Sequence, residues 1–132
     1  DWDLESEPEH AETSANGTVV VSVQETSQIM IFNVADLPLD SNDITIVDLP
    51  DDGGTSDDGD AVAAEPDGLF ISPDGTMALI SNERNGTFQM MSLPDGTLYG
   101  NPYSLNRMFL HLHTMLMHRK LQNALSPRSV PW

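Results

Sequence analysis

Five aspartates in one short glycine-rich stretch, Asp51, Asp52, Asp57, Asp58 and Asp60, are the residues whose type and spacing could do chemistry. Closely spaced carboxylates on a loop can wrap Ca2+, a hard cation that takes roughly six to eight oxygen ligands. An EF-hand loop begun at Asp51 or Asp52 would need a closing glutamate, and none stands at that position. The simpler reading is a solvated acidic insert over 51–64. Three histidines, His111, His113 and His118, lie close together further on. On a helix, residues two apart point away from each other, and His111 and His118 stand about two turns apart, roughly 10 Å. On a strand, His111 and His113 would share a face and could bind a metal. There is no cysteine, no Gly-x-Ser-x-Gly elbow and no phosphate-cradling glycine loop. With 21 acidic residues in the chain, a neighbouring pair of carboxylates identifies nothing. These residue types read as a non-enzyme whose one candidate cofactor is Ca2+.

The charge is unevenly placed. Residues 1–96 carry all 21 acidic groups and one basic residue, Arg84, for a balance of −20. Residues 97–132 contain no acid and four bases, Arg107, Arg119, Lys120 and Arg128, for +4. A body this acidic repels nucleic acid and anionic membrane, which leaves proteins as the expected partners. The chain opens at Asp1 without a charged-then-apolar leader. A removed targeting segment or a fragment is the expectation, and with the first an extracellular, cell-surface or lumenal setting.

The elements around these residues repeat. Glu65-Pro66-Asp67-Gly68-Leu69-Phe70-Ile71-Ser72-Pro73-Asp74-Gly75 reads as an apolar strand running into a tight turn. A second strand ends at Asn82-Glu83, Asn85-Gly86 turns the chain, and a third strand covers 88–93. At an offset of 58, Glu7-Pro8-Glu9-His10 meets Glu65-Pro66-Asp67-Gly68, Ser14 meets Ser72, Asn16-Gly17-Thr18 meets Asp74-Gly75-Thr76, and Glu25 meets Glu83. One extra residue past Glu83 then aligns 29–34 with 88–93 at an offset of 59. The β-branched run Thr18-Val19-Val20-Val21-Ser22-Val23 is a strand, and 44–49 makes an outer one. Such runs, apolar at nearly every position, suit strands covered on both faces. Asn16-Gly17-Thr18 and Asn85-Gly86-Thr87 also match N-glycosylation sequons, although the turns alone explain their Asn-Gly pairs.

The pattern Glu-Pro-(Asp/Glu)-Gly, Ile-Ser-Pro-Asp-Gly and Ser-Asn-Glu-x-x-Gly-Thr, over residues 7–96, resembles the repeats of surface propeller proteins. It is similar to the choice-of-anchor I group, related to YVTN-type seven-bladed propellers. The resemblance implies two antiparallel β-meander blades, and relatives of that kind include metal-dependent phosphatases and phytases. The first copy departs from the pattern, with His10-Ala11-Glu12-Thr13 where the second has Gly68-Leu69-Phe70-Ile71.

From Tyr99 the character changes. Leu105, Met108, Phe109, Leu112, Met115 and Leu116, then Leu121 and Leu125, recur at helical spacing from Ser104 to about Leu125. Arg119, Lys120 and the histidines interrupt the stripe, which excludes a membrane span. The reading is therefore a mainly β chain. An acidic lead-in (1–16) precedes two propeller-like repeats (17–96), and a basic, apolar helical tail (97–132) follows. Its expected role is a non-catalytic protein-interaction module that docks on a larger assembly or self-associates. The contacts would come from Leu105, Met108, Phe109, Leu112, Met115, Leu116, Arg119 and Lys120. The alternative is a calcium-dependent, phosphatase-like propeller fragment.

Overall fold

The computed structural model describes residues 7–51, 63–83 and 86–125, with the backbone alone for 106–111. Two four-stranded antiparallel sheets and one helix make up the fold. The first sheet is the meander β1 (Pro8–Thr13), β2 (Thr18–Val23), β3 (Gln28–Asn33) and β4 (Thr45–Asp48). The second is β5 (Pro66–Ile71), β6 (Met77–Asn82), β7 (Thr87–Ser92) and β8 (Leu98–Ser104). The helix α1 spans Leu105–Leu125, as its spacing predicts, and its first N–H donates to the Gly86 carbonyl at 2.8 Å.

Two boundaries differ from the sequence reading. Part of the acidic lead-in is strand β1, whose polar residues suit an edge that is largely solvated. The first residues assigned to the tail form β8, which pairs with β7. Its sequence, Leu98-Tyr99-Gly100-Asn101-Pro102, lacks β-branched residues and gives little strand signal.

One hydrophobic core joins the two sheets face to face. Val20, Ile29 and Ile31 of the first meet Leu69, Ile71, Ala78, Ile80 and Met91 of the second, with Leu49 and Leu93 closing the ends. Polar bonds cross the same seam. Ser22 Oγ donates to the Asp67 carbonyl at 3.3 Å, and Ser27 Oγ donates to the Ala64 carbonyl at 2.6 Å.

The repeat is real in three dimensions, with its register corrected. Ser22 Oγ accepts from the His10 N–H at 3.1 Å, across a bulge in β1, and shares its one proton between the Asp67 carbonyl and the His10 carbonyl at 3.4 Å. Ser81 Oγ likewise accepts from the Gly68 N–H of β5 at 3.1 Å and donates to its carbonyl at 3.3 Å. First strands thus correspond at an offset of 58, but second strands already correspond at 59. The extra residue lies in the first turn. Ser14 N–H reaches the Thr18 carbonyl, whereas Ser72 N–H reaches one residue further, to Met77. The β2–β3 and β6–β7 turns are equal in length, closing Val23 on Gln28 and Asn82 on Thr87. The insertion is therefore not past Glu83. The distinction matters because a one-residue slip sends every side chain of a strand to the other face.

Candidate functional site

The five aspartates do not form a described site. Asp51 stands exposed just past β4, and Asp52, Asp57, Asp58 and Asp60 lie outside the described residues. Among the described residues, no group of three or more histidines and carboxylates is placed to hold a metal ion. His113 and His118 are exposed on α1, and the side chain of His111 lies outside the description.

The most hydrogen-bonded of the described carboxylates belong to turns. Asp74 Oδ1 accepts from Ser72 Oγ at 2.6 Å, Thr76 Oγ1 at 2.8 Å and Thr76 N–H at 3.1 Å. Asp95 accepts from Ser92 Oγ at 2.5 Å and Thr97 Oγ1 at 2.7 Å. Donors aimed at the ionised form hold both carboxyls below the usual range, the Ser72 and Ser92 hydroxyls contributing most. In the first sheet the equivalent turn pairs Ser14 Oγ with Asn16 Oδ1, a neutral version of the same staple. That bond uses the side-chain oxygen of Asn16 and not the nitrogen that a glycan would take, while Asn85 lies outside the described residues. Three turns share one device, so these acids have a structural task.

A shallow cleft of about 130 Å³ is lined by Gln24, Glu25, Ser27, Ala63 and Glu65. It is below the roughly 300–1,000 Å³ of small-molecule sites. The Ser27 hydroxyl beside it already donates to Ala64.

The exposed apolar groups are a different matter. On α1, Leu112, Met115, Leu116, Met117, Leu121 and Leu125 are all exposed, with Arg119 and Lys120 beside them. Leu105 is half-buried at the helix start, and the side chains of Met108 and Phe109 lie outside the description. From 112 to 125 every side chain is exposed, so this part of the helix does not cover a sheet face as the near-continuous apolar strands suggest something should. No helix is long and apolar enough to cross a membrane among the described residues.

The second sheet leaves its outer face open: the sequence reading expects such strands to be covered on both faces, and residues 112–125 of the helix do not cover this one. Cross-strand pairing places Phe70, Leu79, Met90 and Tyr99 in one row over all four strands. All four are exposed. Phe88 and Tyr103 stack beside the row with ring centroids 5.2 Å apart. Alternation along β5, β6 and β7 was the available signal: positions on the other face, Leu69, Ile80 and Gln89, are buried.

No protein-family model matches this chain, and no curated protein matches it.

Proposed function

We propose that this chain is a non-catalytic protein-interaction module, built from two adjacent propeller-like blades that carry α1 as a docking arm. The observation behind the reading is the row of exposed Leu112, Met115 and Leu116 on one side of α1, held away from the core that joins the sheets. Apolar groups gathered on a helix and left wet are characteristic of partner surfaces. Their basic neighbours Arg119 and Lys120 favour a partner groove with acidic rims, in contrast to the strongly acidic body. An extracellular, cell-surface or lumenal setting belongs to the same reading.

The test compares the full chain with Leu112→Asp/Leu116→Asp, each tagged and recovered from the native source, with the bound proteins identified. The reading expects one specific complex that the double variant loses while its thermal melt stays the same. Retention of the same complex by the double variant sinks the docking role. Truncation is a poorer design if it begins before residue 105, because it removes β8 as well.

A further inference from the structure

The repeat relates the two sheets by an operation that leaves one face of each unmatched. Corrected to offsets of 58 for first strands and 59 for second and third, Val20 and Ile31 of the first sheet correspond to Leu79 and Met90 of the second. Val20 and Ile31 are 0% and 2% exposed beneath the second sheet, whereas Leu79 and Met90 are 40% and 38% exposed. The open face of the second sheet is thus the counterpart of the face that the first sheet buries. The converse holds too. Leu69 and Ile80, buried against the first sheet, correspond to Ala11 and Val21, which pair on into Met30 and Ile46 on that sheet's outer face. Ile46 is 57% exposed.

We propose that the open face of the second sheet is a docking surface for a second copy of this chain. The copy adds head to tail, laying the outer face of its first sheet on the row Phe70, Leu79, Met90 and Tyr99. This rests on the blade reading above. Neither row contains a charged residue, and the acid in the neighbouring row, Asp48 on the edge strand β4, is exposed and accepts from Gln28 Nε2 at 2.7 Å. The contact also supplies a hydrogen bond of known geometry. Ser22 Oγ donates across the existing seam to the Asp67 carbonyl, and by the same operation Ser81 of one copy faces the Glu9 carbonyl of the next. Head-to-tail contacts build rings when the rotation closes. Propellers close with roughly four to eight blades, which corresponds to roughly two to four copies of a two-sheet chain.

Complementation tests this with the full chain. Ile46→Glu blocks one face and Leu79→Glu the other, with Phe70→Glu as a second block at a side chain 60% exposed. Each variant is followed by sedimentation over a concentration series, alone and mixed, after circular dichroism shows native sheet content. The wild type is expected to associate, each variant alone to stay monomeric, and Ile46→Glu mixed with either second-sheet variant to form a one-to-one dimer. The mixture retains one intact pair of faces. A wild type that stays monomeric throughout overturns the proposal. So does a dimer abolished by Leu79→Glu but untouched by Ile46→Glu, which would mean second sheets packing on each other. Association lost in Leu116→Asp and unaffected by the face variants also overturns it, while upholding the helix as the docking arm.

Discussion

Ser27 and Gly86 hold the same left-handed corner of equivalent four-residue turns, with φ of 54° and 58°. Each immediately precedes the third strand of its sheet. Glycine takes this conformation without penalty, and serine does not. Ser27 gains a hydroxyl bond to Ala64 across the seam in return. One sheet therefore solves the corner with backbone freedom, the other with a hydrogen bond.

Gly86→Ala should lower stability by about 1 kcal/mol, the typical penalty of a left-handed non-glycine residue. An added Cβ would meet nothing within 4 Å, so the loss reports the backbone alone. Ser27→Gly should be nearly neutral, since relieved strain offsets a lost hydrogen bond of about 1 kcal/mol. Denaturant midpoints at constant slope measure both. An unchanged midpoint for Gly86→Ala would contradict the corner geometry.

Gly96→Ala should cost more, about 2–4 kcal/mol, because overpacking adds to the same backbone penalty. Its φ is 74°, and a Cβ would come within 2.5 Å of Val47 Cγ2 and 3.1 Å of Ile31 Cδ1 on the facing sheet. Val47→Ala in the same chain makes room, so the double variant should lose less than the two single losses combined. Strict additivity would show that the sheets do not meet there.

The sheets were legible wherever local chemistry and periodicity agreed. Thr18 to Val23 is β-branched almost throughout, and turns such as Ser72 to Met77 pair a positive-φ glycine with an aspartate that staples the loop. The extra residue in the second repeat was misplaced because Glu25 and Glu83 match by type, while the hydrogen bonds put the insertion at the earlier turn. β8 was missed because Gly100 and Pro102 look like chain breakers, and its place comes from pairing with β7. The α1 stripe was visible because it is local. The open row of Phe70, Leu79, Met90 and Tyr99 was not, because it exists only once four separated strands are in register.

Acid should destabilise this fold partly through its turns. Asp74 and Asp95 have folded pKa values below the ordinary 3.8. A lowered folded value contributes stability that is present above the unfolded pKa and is lost as the pH falls through the folded one. Asp74→Asn and Asp95→Asn should therefore flatten the stability profile below about pH 4, relative to the wild type. Urea titrations from neutral pH downward read this out. A variant whose acid limb parallels the wild type would show that the staple does not favour the ionised form.

The apolar residues of this chain divide into those that hold the fold and those that do not, and substitution should separate them. Ile80 is 0% exposed on a central strand between the sheets. Ile80→Ala removes buried methyl groups and leaves a cavity, at a loss of about 2–5 kcal/mol. Leu116 is 58% exposed on α1, so Leu116→Ser should fall within about 0.5 kcal/mol of the wild type. The same hydrophobic effect acts at both sites, and only the area removed from water on folding differs. Thermal and urea unfolding of the two variants check the contrast. A loss at Leu116 comparable to that at Ile80 would mean that α1 packs as part of the core, and the helix could not then serve as a free docking arm.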